Sequence, residues 1–508
     1  MKNILYILTL SLLWACSGED FLEEAKPDIN QARDEIESNT TLDDLVRGAY
    51  FNLKSPGDLG PIDLLIYQTV ATDIVELKEY SDILSGSRNL QPLYLRQDEI
   101  NDIRIVEWPW AGAQTLLFNV NTVLQFYEQN EVPTDGLEDW VPRIRGEAYF
   151  LRAFAHYLLA TTYAPPYSSD PQAEGIILQT APASSPTDFK GLATNQQVYD
   201  QIISDLKNAI ELLPETYDVS VHPEDYQDRA KRDAARFLLA KVYFLMGNEF
   251  WTAGQDGDGG ALEQIDAVIT SNRFPLLQSD SLQQIFLKKG LGDQASETVW
   301  YASYYFRNGW RTPRLEPIYS NFTGNRQRGF AVSKATLEAI GWDDPAMAQQ
   351  DERYNDWYRR FEQNPADSAG IDPAFAGEYT DAYNVWCGKF ADNTANFVIF
   401  RSPELYLMRA AIRLAAGDGA GAAADLNVTR ERAGLPALTT ATAANIDAEW
   451  IKEMGFEGRR LFYLQAQQLA VPPGDRAGAT EIPYDDPSLV RMLPRVELTR
   501  NPALAGGE

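Results

Sequence analysis

The sequence predicts a mostly α fold built from paired helices and interrupted once by a loop-rich segment. Three stretches are apolar on nearly every side, rich in alanine, and end at a proline or glycine. A second, amphipathic stretch of helical periodicity follows each of them. Between the second and third pair the periodicity weakens, while tryptophan, proline and glycine become frequent. These observations favour a tetratricopeptide-like helical repeat scaffold with one insertion.

The three apolar helices share a pattern of small and large side chains. In each, an alanine is followed four residues later by a large apolar residue, and a helix breaker comes next. Small residues at this density let a neighbouring helix approach closely, which predicts burial in a helical stack. The predicted helices cover residues 146–163, 233–246 and 403–416, and the aligned alanines are Ala153, Ala240 and Ala410.

An amphipathic helix after each apolar one completes a helix–turn–helix unit. These second helices are predicted at 198–213, 261–269 and 420–432, and 42–53 with 119–129 supplies a further unit nearer the N-terminus. The spacing of the units is irregular and the full repeat consensus is absent. Periodicity alone therefore leaves open an unrelated helical domain.

Residues 271–400 are predicted to form the loop-rich insertion. Five of the 11 Trp residues of the chain lie between positions 300 and 386. Loops on a rigid scaffold often carry binding residues, so we expect the binding site in this segment. The predicted organisation is a signal peptide at 1–15 and one domain at 16–508, with helical units at about 40–270 and 400–465.

The N-terminus has the pattern of a bacterial lipoprotein signal. Lys2 precedes an apolar run over 4–15, which is shorter than the roughly 20 residues of a spanning helix. The run ends in Leu13-Trp14-Ala15-Cys16, which predicts lipid attachment at Cys16. The alternatives are an ordinary signal peptide that contains a cysteine, or a structural cysteine. If Cys16 is lipidated, Cys387 has no partner for an intrachain disulfide.

Composition excludes several classes of protein. The chain has 44 Lys+Arg against 73 Asp+Glu, a formal net charge of −29. This balance argues against nucleic acid and against an anionic membrane surface as partners, since both require basic patches. With two His and two Cys, zinc sites, cysteine proteases and disulfide scaffolds are excluded, and we predict neither a metal nor a cofactor.

The sequence does not indicate an enzyme. His156 lies in an apolar helix, which predicts a core histidine, and His222 lies in a polar loop, where a solvated side chain is expected. No nucleophile elbow, Walker loop or HExxH motif is present. The segment Asp256-Gly257-Asp258-Gly259-Gly260 lacks the bidentate Glu of a calcium loop and is interpreted as a turn.

The ordered motifs of the chain resemble those of the SusD/RagB family of surface lipoproteins. They are Asp20-Phe21-Leu22-Glu23, Gly48-Ala49-Tyr50, Leu151-Arg152-Ala153-Phe154, Glu297-Thr298-Val299-Trp300, Arg401-Ser402-Pro403-Glu404, Phe456-Glu457-Gly458-Arg459 and Asn501-Pro502-Ala503-Leu504. Two blocks, at 410–412 and 462–465, differ from the family pattern. These differences put in doubt which subfamily the chain resembles, but not its fold. The resemblance implies a SusD-like fold and a non-catalytic protein, anchored by lipid on the outer face of the outer membrane.

The resemblance also implies a function and a partner. Members capture nutrients beside a SusC-like TonB-dependent transporter, so we expect this chain to bind oligosaccharide and to deliver it to such a transporter. The transporter would face the helical repeat side, since stacked helices form protein-binding surfaces. A peptide-binding member of the same family is the alternative, and a glycoside hydrolase with two positioned carboxylates is a weaker one.

Candidate ligand-binding residues follow from the two loop regions that build glycan sites in this family. Aromatic planes pack on the C–H faces of sugar rings, while Arg and amide groups bond their hydroxyls. For each aromatic the competing interpretation is core packing. The candidates are Arg88, Asn89 and Tyr94 in the first region (78–96), and Tyr304, Trp310, Arg311, Tyr319 and Trp342 in the second.

One stretch is basic in an otherwise acidic chain. Residues 307–328 contain five Arg and a single acidic residue, Glu316. Arginine clusters suit bidentate recognition of carboxylate or sulfate, which suggests an anionic ligand. The alternative is internal neutralisation of the acidic body of the protein.

Overall fold

The structure is a computed structural model that describes most of the chain beyond residue 35. The described residues are 36–54, 64–77, 90–97, 107–185, 187–222, 227–278, 280–303, 330–360, 385–390, 392 and 395–504. Cys16 and the predicted signal lie outside these residues, as does the basic stretch at 307–328. Within the described part of the chain, no helix is both long and apolar enough to cross a membrane.

Helices dominate the N-terminal part, as the periodicity predicted. They are α1 (Asn39–Lys54), α2 (Leu64–Val70), α3 (Gln91–Tyr94), α4 (Trp108–Gln129), α5 (Val141–Tyr163), α6 (Asn195–Leu212), α7 (Arg232–Met246), α8 (Asn248–Thr252) and α9 (Gly260–Thr270).

The C-terminal part of the described chain is also helical, with short helices leading into longer ones. They are α10 (Lys334–Ile340), α11 (Pro345–Ala348), α12 (Glu352–Trp357), α13 (Pro403–Ala415), α14 (Gly419–Arg432), α15 (Ala443–Met454), α16 (Arg460–Ala466) and α17 (Arg495–Arg500).

The long helices pack side by side in one continuous array. Helix α1 packs on α4, α4 on α5, α5 on α6, α6 on α7, α7 on α9, α9 on α13, and α13 on α14. Ala153, Ala240 and Ala410, the aligned small residues of α5, α7 and α13, are fully buried. The predicted helical pairs and the mostly α, repeat-like architecture are therefore confirmed.

Local sequence explains where these helices begin and how closely they pack. Thr194 and Gln197 form a capping box that starts α6, because each side chain accepts a hydrogen bond from the other residue's main chain. In α5, a Cβ atom on Gly146 would lie 3.0 Å from the side chain of Leu213, just past the end of α6. A residue without a side chain thus permits the close contact of α5 with α6. Buried Arg152 then joins them through two hydrogen bonds to Asp205, of 2.8 and 2.6 Å.

Three two-stranded antiparallel sheets lie among the described residues. Strand β1 (Val75–Leu77) pairs with β3 (Phe330–Val332), β2 (Thr298–Ala302) with β6 (Phe397–Arg401), and β4 (Tyr358–Arg360) with β5 (Val385–Cys387). All but β1 lie in the predicted insertion, apart from Arg401 at the end of β6. Part of that segment is therefore regular structure that packs on the helices, and not loop.

Four of the five tryptophans of the insertion form core, which corrects their interpretation as a binding surface, and the fifth, Trp310, lies outside the described residues. Trp300, Trp342, Trp357 and Trp386 are each no more than 2% exposed. The ring of Trp300 packs edge-on against two phenylalanines of α5, at centroid distances of 4.8 and 5.0 Å. Irregular backbone has few main-chain contacts of its own, so large buried rings supply the apolar area that holds it.

A buried ionic network joins the strands to the C-terminal helices. Arg401, the last residue of β6, donates hydrogen bonds to Glu297 at 3.2 Å, to Glu457 at 2.9 and 2.8 Å, and to Glu453. Arg432 of α14 donates to the same Glu297, at 2.6 Å, and to Glu453. All of these carboxylates are nearly or fully buried. We call these five residues and their partners the Arg401 network.

The Arg401 network extends into the insertion. Arg353 of α12 is fully buried and donates to Glu449 and to Glu453. The Lys389 ammonium donates to Glu457 at 2.7 Å and lies 4.6 Å from the centroid of the Trp357 ring. Each charge is thus paired, and the face of the Trp357 ring covers Lys389 on one side.

Replacing Glu453 with Gln is expected to destabilise the protein strongly. The change leaves buried guanidinium groups without their carboxylate, and breaking one side of a buried ion pair costs about 3–5 kcal/mol. The measurement is the free energy of unfolding from urea denaturation at pH 7. Exposed Glu431 on α14 is the matched control, and its change to Gln should remain within about 0.5 kcal/mol of wild type. Equal stability of the two variants would contradict this account of the network.

The same carboxylate also sets a pH dependence. Burial by itself raises the pKa of Glu453, but the charges of Arg432, Arg401 and Arg353 outweigh burial and lower it. A carboxyl with a lowered folded-state pKa stabilises the fold above its unfolded value of about 4.3, and this contribution is lost as the pH falls further. Stability should therefore fall below about pH 4 in wild type and fall less steeply in Glu453→Gln. Parallel pH profiles would argue against this role.

Trp342→Ala is expected to act through stability. The Trp342 ring packs against Tyr354 and Tyr358 at centroid distances of 5.4 and 5.0 Å, and truncating such a core ring costs about 3–5 kcal/mol. Phe189→Ala removes a ring that is 40% exposed and should change stability by less than about 0.5 kcal/mol. If Trp342→Ala left the melting temperature unchanged, its assignment to the core would be wrong.

Candidate functional site

The β1–β3 pair brings together chain ends from the two predicted binding regions. Leu77 ends β1 and pairs with Phe330, the first residue of β3. The first predicted region begins directly after Leu77 in the sequence, and residues 304–329 of the second region directly precede Phe330. Because the strands are antiparallel, the strand ends that adjoin the two regions lie side by side at one edge of this small sheet. We call these strand ends the bases of the two regions.

Helix α3 returns the chain to the same edge. The Tyr94 ring lies 5.9 Å from that of Phe330, and the main chain of Leu77 hydrogen-bonds its hydroxyl. Burial raises the pKa of this phenol, although the charge of Arg476 opposes the shift. Tyr94 is 6% exposed, so it holds the edge together and does not offer a ring face to a ligand.

Two arginines lie next to this tyrosine. The Arg476 guanidinium stacks on the Tyr94 ring at 4.2 Å and donates to the carbonyl oxygens of Tyr94, Pro473 and Val70. Burial and the nearby charge of Arg96 lower the pKa of Arg476 to about 10. Arg96 is only partly buried, and burial lowers its pKa as well. We call these two side chains the Arg96–Arg476 pair.

The segment that carries Arg476 is fixed on both sides. Gly474 has a φ of +61°, and a Cβ atom there would lie 2.7 Å from the carbonyl oxygen of Asp73. The Asp475 carboxylate accepts hydrogen bonds from the main-chain N–H groups of Lys334 and Ala335, at the start of α10. Arg476 is therefore placed by turn geometry and by a helix cap.

The structure covers two of the eight candidate ligand-binding residues. Trp342 and Tyr94 are both buried, which corrects the expectation that their rings are open to a ligand. Both rings pack on aromatic neighbours, because the adjoining short strands and helices need apolar area to close. The other six lie outside the described residues: Arg88, Asn89, Tyr304, Trp310, Arg311 and Tyr319.

Neither histidine is placed as a catalytic base. His156 is fully buried, and burial together with the charge of Arg152 lowers its pKa to about 3. Its Nε2 accepts a hydrogen bond from the main-chain N–H of Gln179 at 3.3 Å, which confirms a core histidine. His222 was expected in solvent, but it is only 7% exposed, because its ring packs against Trp140 and Tyr217.

The acidic glycine-rich segment forms a turn before α9, as predicted. Asp258 accepts hydrogen bonds from the Tyr243 hydroxyl and from the Gly260 N–H, and Lys207 pairs with it at 2.9 Å. Its oxygens are thus used within the protein. Across the described part of the chain, no group of three His, Cys, Asp or Glu side chains could hold a metal ion.

Sequence reasoning missed the Arg96–Arg476 pair. Arg96 falls in the first predicted binding region, and its φ of +55° is unusual for a residue with a side chain. Arg476 lies far away in the sequence, in a segment with no motif. Their proximity arises only from the contacts of α3 with the C-terminal turn, so no local pattern indicates it.

The sequence of this chain matches known proteins along most of its length. Residues 20–244 match a family model described as "Starch-binding associating with outer membrane", and residues 339–465 match the SusD family model. The SusD-like protein P25 of Formosa agariphila is 22% identical over an alignment of 491 positions that covers 91% of this chain and 87% of that protein.

Solved structures have the same architecture. A SusD superfamily protein of Bacteroides thetaiotaomicron superposes with a TM-score of 0.72 at 21% identity, covering 92% of this chain and 99% of that one. The surface glycan-binding protein A of Bacteroides uniformis gives a TM-score of 0.70 at 19% identity, with coverages of 92% and 99%. At these identities the structures establish the fold alone. The two family matches extend over well over half of the chain and agree with its motifs, and the chain therefore belongs to the SusD/RagB family.

Proposed function

We propose that this protein is a non-catalytic, glycan-binding lipoprotein of the cell surface that captures oligosaccharide and delivers it to a TonB-dependent transporter. The observation that carries the proposal is the register of β1 with β3. Pairing of Leu77 with Phe330 joins the bases of the two regions in which this family builds its glycan sites. Family membership supports a carbohydrate ligand and an outer-membrane location.

The carboxyls of the Arg401 network are not suited to hydrolysis of a glycosidic bond. A glycosidase needs one carboxyl kept protonated and a second one placed within about 5–10 Å of it. In the Arg401 network, the charges of neighbouring cations outweigh burial and lower the pKa of Glu453 and of Glu457. Carboxyls held in this way do not donate a proton near neutral pH.

The lipid anchor and the transporter surface belong to the same proposal. Lipid on Cys16 would hold this acidic protein at the membrane without basic patches, since buried methylenes supply the attraction. On the helical side, α1 and α4 pack together and each presents an exposed phenylalanine: Phe51 is 59% and Phe118 is 40% exposed. Exposed aromatic rings on neighbouring helices suit a protein partner.

Glycan binding is tested with the mature chain from residue 16. Affinity electrophoresis against a panel of neutral and acidic polysaccharides, followed by calorimetry, is expected to show retardation by at least one polysaccharide. A reducing-sugar assay on that polysaccharide should show no release over hours. Release of reducing ends would identify a hydrolase, and binding of peptides alone would identify the peptide-binding alternative.

The partnership is tested in the outer membrane of the native host. Tagged protein, extracted in mild detergent, is expected to co-purify with a TonB-dependent transporter that mass spectrometry identifies. A Phe51→Ser, Phe118→Ser double variant should recover less of this transporter at equal expression and melting temperature, because the apolar contact is lost. Phe189→Ser serves as the matched exposed control. Equal recovery by both variants would remove α1 and α4 from the proposed interface.

A further inference from the structure

The β1–β3 pair is too short to fix its own register. Each strand has three residues, and the two strands come from distant parts of the chain. All three residues of β3 are buried. The alternation of buried and exposed side chains that normally specifies a register therefore does not distinguish one pairing of β3 from the next. Contacts outside the two strands are needed to hold β3 in place.

Hydrogen bonds at the far end of this sheet, opposite the bases of the two binding regions, supply such contacts. The Ser333 N–H donates to the carbonyl oxygen of Ile74 at 3.0 Å, one step beyond the last strand pair. The Ser333 hydroxyl donates to the carbonyl oxygen of Asp73 at 2.6 Å, and the Thr336 hydroxyl to the same oxygen at 3.0 Å. Asp73 is itself fixed, because its carboxylate accepts two hydrogen bonds from Arg460.

Asp475 adds a third segment of the chain to this junction. Helix α10 begins directly after Ser333, and the first N–H groups of a helix have no partner within it. The Ser333 hydroxyl accepts the N–H of Thr336 at 3.1 Å. The two oxygens of Asp475 accept the N–H groups of Lys334 and Ala335. For these two bonds, α10 depends on a residue of the C-terminal turn.

The turn that carries Asp475 is itself held against the start of β1. A Cβ atom on Gly474 would lie 2.7 Å from the carbonyl oxygen of Asp73, so the two main chains are in close contact. The next residue, Arg476, is buried and donates to three carbonyl oxygens. The segments before β1, after β3 and in the C-terminal turn therefore meet at one point. We call this junction of Asp73, Ser333, Thr336 and Asp475 the Asp475 clamp.

The clamp selects one register of β3 on β1. A slip of one residue would move the start of α10 by about 3.3 Å along β1, which would separate its N–H groups from Asp475 and its hydroxyls from Asp73. The same slip would turn every side chain of β3 to the opposite face of the sheet. The hydrogen bonds of the clamp are thus made together only in the register that pairs Leu77 with Phe330.

We propose that Asp475 is a positioning residue for ligand binding, which keeps the bases of the two binding regions in one fixed relation by capping α10 and locking β3 on β1. This inference rests on the proposed glycan-binding function. Leu77 and Phe330 are the bases of the two regions, so the register of the strands decides how these regions meet. A site that is fixed in advance binds more tightly, because less conformational freedom is lost on binding.

Two substitutions of Asp475 separate the helix cap from the charge. Asp475→Ala and Asp475→Asn both remove a negative charge, which also acts on Arg476. Asn retains an oxygen that accepts a main-chain N–H and is itself a favourable helix cap, whereas Ala is not. The matched control is Asp418→Ala, because Asp418 lies in the turn between α13 and α14 and caps α14 through the N–H of Gly421 at 2.7 Å.

Hydrogen–deuterium exchange of the ligand-free protein, followed by mass spectrometry, tests the clamp itself. In Asp475→Ala, the amides of β1, β3 and the first turn of α10 should exchange about fivefold faster than in wild type, because the cap no longer opposes local opening. Asp475→Asn should give an intermediate rate. Asp418→Ala should accelerate exchange at the start of α14 and leave β1 and β3 unchanged. Unchanged exchange in a folded Asp475→Ala would overturn the proposal.

Calorimetry with the polysaccharide that wild type binds tests the connection to the ligand. Asp475→Ala should bind about fivefold more weakly, Asp475→Asn should regain part of the affinity, and Asp418→Ala should bind as wild type does. Binding is measured well below the lowest melting temperature of the set. A purely structural role would lower the melting temperatures of both Ala variants without changing either affinity, and this result would overturn the proposal. Equal losses in Asp475→Ala and Asp475→Asn would assign the effect to charge and overturn the role of the cap.

The outcomes separate this inference from the proposed function. Binding by wild type with undiminished affinity in Asp475→Ala would overturn the inference and leave the function standing. Failure of wild type to bind any saccharide would overturn both. If Asp475→Ala does not fold, exchange in wild type decides the matter, because saturation with the polysaccharide should slow exchange in β1 and β3. Exchange that the bound polysaccharide leaves unchanged would then overturn the inference.

Discussion

The bonds of Arg401 to Glu297, Glu453 and Glu457 are the interaction on which the rest of the structure depends. These groups are buried, where an unpaired charge is costly, so each ion is stable only while the others are in place. They belong to separate motifs, in β6, before β2 and in the last helical region. Because these groups are buried, each charge is paired only when the distant segments have assembled correctly.

This network also positions the candidate site. Glu457 bonds to Arg401, and the next residue, Gly458, donates its N–H to the Thr69 hydroxyl at 3.0 Å. Two residues further, Arg460 holds the Asp73 carboxylate, just ahead of β1. A single short stretch of chain thus connects the ionic core to the strand whose end meets Phe330. Strand β1 is held in place because its supports lie in the core.

Charge is distributed unevenly between the surface and the interior. The protein carries a net charge of −29, yet its buried cations are matched closely by carboxylates, as at Arg152 and Asp205. An excess of acidic residues repels an anionic lipid surface.

Sequence alone determined the helical architecture and the family, because helix periodicity, helix breakers and ordered motifs are local or depend only on chain order. It also indicated that His156 belongs to the core. Only the tertiary structure decided which aromatic residues are buried, as with Trp342 and Tyr94, since composition does not distinguish a tryptophan that holds a segment from one that binds a sugar. The approach of Arg96 to Arg476 was likewise beyond the sequence, because it arises from packing between segments that are far apart along the chain.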